Sequence, residues 1–264
     1  MNSPGLEPEK VAARFDGLGW NRRQRRRLAR LACMLAELPP PPDPLKRLGA
    51  FARLQENLQE VLRYGRAVEA EEALLRLYEL LHGIEAPYST PERRVVDATG
   101  GYWCHAGGLS PLVRAEPFIR RETVSVDLGA GNGLQGLLLQ KLSPHRLAVQ
   151  VEISSAAMAE GRALQRWLGI PAQAVSWIHA DLATLAFPEA GFVYLYRPLK
   201  PSGAGDGFYH RLSDHLGDQK VPPVVFSIAD CLGPYLPDSF VKFYTDGQLT
   251  CYRRRDWSPG CKGS

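Results

Sequence analysis

The chain has 264 residues, 45% of them hydrophobic and 23% charged, with 32 basic against 28 acidic residues and a net charge of +4. That length and balance suit one large globular domain with a small extension, and no apolar run approaches the roughly 20 residues that span a bilayer. Five cysteines with no C-x-x-C pair, and a polar start at Met1–Lys10, argue against a disulfide framework, a structural zinc site and a secretory signal, and predict a metal-free cytoplasmic protein.

The positive charge sits at the ends. Residues 1–30 carry eight basic and three acidic residues, residues 252–264 carry four and one, and the stretch between is net negative. Residues 20–38 predict a helix: Asn21 and Gln24 have capping-box spacing, and Leu28, Leu31, Leu35 and Leu38 make one apolar face. Arg22, Arg23, Arg25, Arg26, Arg27 and Arg30 crowd its first turns, where the helix dipole disfavours cations. Such a cluster is either a solvated face or a contact for an anionic partner such as RNA. The proline run over 39–44 ends this helix and reads as a stiff linker. Helices over about 45–63 and 67–82 follow, so the first 85 residues read as an all-helical extension. Ser89-Thr90-Pro91-Glu92 opens another helix and Gly100-Gly101 closes it. In the next loop, Tyr102 and Trp103 can cover a ligand or a sheet edge, and His105 titrates in the range of a general base.

Residues 124–133, Val-Ser-Val-Asp-Leu-Gly-Ala-Gly-Asn-Gly, read as a strand entering a glycine turn. Leu134, Leu137, Leu138, Leu139 and Leu142 continue it as a helix. Gly131-x-Gly133-x-x-Gly136 also fits a dinucleotide fingerprint. Asp127, however, stands two residues before Gly129, where a carboxylate suits a cationic ligand better than a pyrophosphate. A second strand, 147–151, ends at Glu152, whose two oxygens can hold a ribose diol in either class of nucleotide site. A third, 175–178, leads to Asp181, which can also cap a short helix after it. Strands at 192–196 and 224–228 flank a helix at 208–216. Residues 240–244 and 248–252 then pair around Asp246-Gly247, a strong hairpin signal.

The motif Asp127-x-Gly129-x-Gly131-x-Gly133, with acids ending two further strands, resembles that of the class I S-adenosylmethionine (SAM)-dependent methyltransferases over roughly residues 90–255. The resemblance implies an α/β fold with a seven-stranded, doubly wound, mostly parallel sheet. It places the SAM-binding domain at 86–264, with a C-terminal β-hairpin and basic tail, behind an N-terminal helical extension at 1–85. It implies SAM as cofactor, bound by Asp127, Gly129, Ala130, Gly131, Asn132 and Gly133. Glu152, beside Ile153, would take the ribose hydroxyls, and Asp181 and Leu182 the adenine.

In that family the segment after strand four faces the transferred methyl group. Here it reads Tyr196-Arg197-Pro198, not the Asn/Asp-Pro-Pro-aromatic of enzymes that methylate exocyclic amines or amides. Neither the Lys-Asp-Lys-Glu pattern of ribose methylation nor a Pro-Cys after strand four is visible; Cys231 follows strand five instead. Tyr196 and Arg197 are therefore the candidates for acceptor contact, with His105 as a possible base. The extension and the basic ends favour a macromolecular acceptor, protein or RNA. A small-molecule methyltransferase with the helices as lid or dimer interface, a nicotinamide oxidoreductase and a non-catalytic SAM-binding scaffold are the competing readings.

Overall fold

The structure, a computed structural model, describes residues 6–258 apart from 18, 44, 46–47, 84–88, 99 and 102–105. Tyr102, Trp103 and His105, and the end of the basic tail, lie outside the described residues.

An N-terminal layer comprises α1 (Pro8–Val11), α2 (Arg22–Ala36), α3 (Phe51–Tyr64) and α4 (Ala67–His82). Two further helices, α5 (Thr90–Ala98) and α6 (Ser110–Ala115), lead to the sheet. There β1 (Val124–Leu128), α7 (Leu134–Leu142), β2 (Leu147–Glu152), α8 (Ser155–Trp167) and β3 (Val175–His179) form one half. The other half is β4 (Phe192–Tyr196), α9 (Ala204–Asp218), β5 (Val224–Ile228), β6 (Phe240–Thr245) and β7 (Leu249–Arg254). The strand order is β3-β2-β1-β4-β5-β7-β6, parallel from β3 to β5, with β7 antiparallel to both its neighbours. This is the doubly wound seven-stranded sheet expected from the sequence.

Alternate strand residues serve the two faces. Val126, Leu128, Val149, Val151, Val193 and Leu195 pack with Phe208 and Leu212 of α9. On the other face Ala148, Phe192, Tyr194 and Phe226 share a core with α7, α8 and the N-terminal layer. In that layer Leu28, Leu31, Leu35, Leu58, Leu74 and Leu77 are fully buried, each contributing about 1.5–3 kcal/mol of burial. The Phe51 and Trp167 rings meet edge-on at 5.1 Å, and the Trp167 indole N–H donates to the Pro39 carbonyl (3.2 Å).

Two features differ from expectation. The helix expected over 45–63 begins at Phe51, because Leu45 and Leu48 are buried in successive three-residue turns ahead of it. The arginine cluster of α2 is also not one solvated face. Asn21 and Gln24 do form the capping box, but position 27 falls on the stripe of Leu31 and Leu35, so Arg27 points inward and is 3% exposed. Its guanidinium donates to the Leu112 carbonyl and the Ser143 hydroxyl, both at 2.7 Å, and burial lowers its pKa to about 10. Arg23 pairs with Glu116 and Arg25 with Asp16. Arg22, Arg26 and Arg30 remain exposed.

Candidate functional site

The glycines of the β1–α7 turn each take a backbone conformation that other residues resist. Gly129, Gly131 and Gly133 have φ of 81°, 58° and 70°, in the left-handed region. The amides of Gly129 and Ala130 both donate to the Val151 carbonyl (3.0 and 2.9 Å), which ties the turn to the end of β2. Space matters as well: a Cβ on Gly133 would lie 2.6 Å from the Trp177 ring, and one on Gly129 would lie 2.9 Å from Pro198. Pro198 follows β4, so the segment expected to face the reacting group rests on the turn.

Glu152 is 3% exposed. One carboxylate oxygen accepts from the Gly131 amide (2.7 Å) and the other from the amides of Ile153 and Ser154 (2.9 and 2.8 Å). The Ile153 carbonyl in turn bonds the His179 ring (2.8 Å). Burial raises the Glu152 pKa against the opposing pull of these amides, and Glu92 adds to the rise. The side-chain carboxylate of Asp127, a residue 5% exposed, accepts no hydrogen bond from any described residue and lines a cavity of about 10 Å³ beside Ser125, Gln135 and Tyr194. Burial, then the Glu152 charge, push its pKa up to about 8. A buried carboxylate without a donor is costly unless a proton or a cation joins it.

Asn132 enters the turn with its side chain already engaged. Its side chain is buried under the turn, where its amide donates to the Leu81 carbonyl of α4 (2.9 Å) and to Glu160 of α8 (2.8 Å), while its oxygen accepts from the Leu134 amide. Only its backbone is left for a ligand. The Tyr78 hydroxyl of α4 likewise donates to Gln135 (2.8 Å). The N-terminal layer is thus bonded directly to the glycine turn, which nothing local in the sequence announced. Asp181 accepts from the Ala183 amide (2.8 Å), capping a turn and not a helix, and stands partly exposed at the end of β3; Leu182 is buried next to it.

A residue missed from the sequence also belongs here. Glu92 of α5 accepts from the hydroxyls of Ser154 and Ser155 and the Ala156 amide at the start of α8. Burial would raise its pKa, but the bonds from Ser89, Ser154 and Ala156 outweigh that and hold it near 2. The Ser89-x-x-Glu92 capping box was legible; the reach of its carboxylate to α8 was not.

At the end of β4, Tyr196 is partly buried against the core and Arg197 has φ 35°. Ala229, just past β5, has φ 47°. Two non-glycine residues in the left-handed region at neighbouring strand ends store strain of the kind found at functional sites. The structure brings Tyr196 and Arg197 to the same sheet edge as the turn, and the bridge between Gly101 and Leu199 brings the segment before residue 102 there too.

No protein-family profile matches the chain, and no curated protein matches it. Among solved structures it is similar to an RNA methyltransferase from Salinibacter ruber in complex with S-adenosyl-L-homocysteine (25% identity over 64% of this chain and 92% of that one, TM-score 0.39). It is also similar to a putative rRNA methylase from Clostridium thermocellum (13% identity, 55% and 95%, TM-score 0.42) and a putative methyltransferase from Escherichia coli (14% identity, 65% and 89%, TM-score 0.41). The fold is decided by the chain's own sheet, with its order β3-β2-β1-β4-β5-β7-β6 and antiparallel β7. The chain has the seven-stranded, doubly wound α/β sheet that the resemblance to class I methyltransferases implies. In an open α/β sheet of this kind the glycine turn, Glu152, Asp181 and Tyr196-Arg197 all fall at the carboxyl ends of the strands, where such sheets bind their ligands. Among the described residues no three His, Cys, Asp or Glu side chains cluster as a metal site, and no helix is long and apolar enough to cross a membrane.

Proposed function

We propose that this protein is a SAM-dependent methyltransferase with a macromolecular acceptor. The observation that carries the reading is the pair of buried carboxylates around the glycine turn, with the Asp127 carboxylate lacking a donor among the described residues and Glu152 held beneath the turn. A sulfonium with an α-amino group can take the place of the proton on Asp127, whereas a pyrophosphate cannot. SAM supplies an already activated methyl group. The protein's part is to bind it and align the acceptor for in-line displacement, in which the acceptor–carbon bond forms as the carbon–sulfur bond breaks and its electron pair passes to sulfur.

In this assignment the backbone of Gly129, Ala130, Gly131, Asn132 and Gly133 cradles the donor, and Asp127 supplies the field for its cationic end. Glu152 keeps lone pairs for the ribose hydroxyls while its amide bonds fix it in place. Asp181, Leu182 and Ile153 flank the base, and Tyr196 and Arg197 face the acceptor. The exposed Arg22, Arg26 and Arg30 are the part of the α2 cluster left for an anionic partner. A reducing cytoplasmic setting fits the free thiols of Cys33, Cys231 and Cys251.

Titration calorimetry of the full chain with S-adenosylhomocysteine and, separately, with NADH tests the reading. It expects heat with the first and none with the second. The reverse would turn the assignment to a nicotinamide enzyme.

A further inference from the structure

The sheet edge beside the acceptor residues opens into a second space that the cofactor assignment does not use. A cavity of about 240 Å³ lies between the N-terminal layer and the β5–β7 edge. Leu75, Ile228 and Leu249 give it apolar walls; Trp20, Glu71 and Asp246 give it polar ones. Ile228 is the register partner of Tyr196, so the cavity begins about 5 Å, one strand spacing, from the acceptor segment. The strained Ala229 directly follows the lining residue Ile228.

The two carboxylates differ in what already holds them. Asp246 accepts from the hydroxyls of Ser110 and Tyr244 (both 3.1 Å) and from the amides of Gln248 and Leu249 (3.1 and 2.8 Å). The Arg114 guanidinium is also close by, 3.7 Å from the centre of the Tyr244 ring, and it donates to Ser110. Asp246 is therefore fully engaged beside a cation. Glu71 has a single bond, from the Trp20 indole N–H (3.2 Å), and no cationic partner among the described residues. The cavity thus presents one carboxylate without an ion-pair partner among the described residues, next to an indole whose ring faces Arg114, above apolar walls.

Resting on the methyltransferase reading, we propose that this cavity receives a basic, amine-bearing side chain of a protein acceptor, with its alkyl stem on Leu75, Ile228 and Leu249 and its ammonium at Glu71. Trp20 fixes the carboxylate through its indole N–H, while its ring already faces the Arg114 guanidinium, 5.2 Å from the ring centre. A phosphate-bearing strand would meet the unpaired charge of Glu71 and be disfavoured there, so the cavity selects protein over RNA. The N-terminal layer supplies two of the polar groups, which gives it a role in recognition besides packing.

The test uses the full chain saturated with S-adenosylhomocysteine, and the same chain without it. The probes are Nα-acetyl-lysine methylamide and its side-chain-acetylated, neutral counterpart, followed by NMR. The charged probe is expected to bind at least about tenfold more tightly, the scale of one charge-assisted hydrogen bond. Glu71→Gln should erase that preference, and Leu75→Trp, which fills the cavity, should abolish binding of both probes, while each variant keeps its affinity for S-adenosylhomocysteine. Equal binding of the two probes, an unchanged preference in Glu71→Gln, or displacement of the lysine probe by a short single-stranded RNA would overturn the proposal. A chain that binds the lysine probe as expected but not S-adenosylhomocysteine would leave this site standing and overturn the methyltransferase reading.

Discussion

The two halves of the sheet's carboxyl edge are built in opposite ways. At β1 and β2 the site is backbone: three glycines occupy the three left-handed positions, and Glu152 is fixed by main-chain amides. At β4 and β5 the left-handed positions fall on Arg197 and Ala229, and the surroundings are side chains delivered by α4, the α6 loop and the terminal hairpin. A site made from backbone geometry is tied to local sequence, because only glycine adopts those conformations without strain. A site made from side chains on distant elements is free to vary, and that freedom suits the half that must recognise an acceptor.

The most disruptive way to test this division is to remove part of what supports both halves. Deleting residues 1–42 takes Val11, Phe15, Leu28, Leu31 and Leu35 out of the core. Their burial is worth about 10 kcal/mol, comparable to the whole stability of a domain. The truncated chain should fail to fold cooperatively by circular dichroism; a folded truncation would show the layer to be an appendage.

A narrower blow falls on the turn itself. Gly133→Ala forces a left-handed alanine into the Trp177 ring and should cost about 3 kcal/mol in urea unfolding, from the backbone and the clash together. Glu152→Gln keeps the shape but weakens the charge-assisted bonds. Affinity for S-adenosylhomocysteine should fall about ten- to a hundredfold with circular dichroism unchanged. Unchanged affinity would remove Glu152 from the site.

Asp127 sharpens the comparison through pH. Its folded pKa of about 8 lies above its ordinary 3.8, so the folded state holds a proton that the unfolded chain has lost between those values. By linkage the ligand-free protein should lose stability as pH rises from about 4 to about 8. Asp127→Asn should flatten that slope, raising the melting temperature by roughly a few degrees at pH 8 and little at pH 5. The same variant should bind S-adenosylhomocysteine more weakly. The smallest effect is expected at the far end of α2: replacing Arg22, Arg26 and Arg30 by Gln should leave S-adenosylhomocysteine affinity within about twofold, since none of the three reaches the turn.

The strands, the hairpin at Asp246-Gly247, the helix at 67–82 and the glycine turn were all readable, because hydrophobic period and turn chemistry are local; the order of the strands was not. Arg27 misled because charge outweighed its place on the leucine stripe. What anchors the Asn132 side chain was not readable, because its position in the motif says nothing of the carbonyl of Leu81, 51 residues earlier, that takes its amide. Glu71 and Trp20 carried no signal at all, since their meaning depends on a cavity closed by Ile228 and Leu249 more than 150 residues later in the chain.

Hydrogen–deuterium exchange of the full chain, with and without S-adenosylhomocysteine, tests the central claim most directly, because it reports both binding and place. The amides of residues 127–133 and 152–154 should slow together on addition of the ligand, with Asp127→Asn and Glu152→Gln reducing the protection. Protection elsewhere with these two segments unchanged, or no protection at saturating ligand, would contradict the assignment of the glycine turn and its paired carboxylates as the donor site.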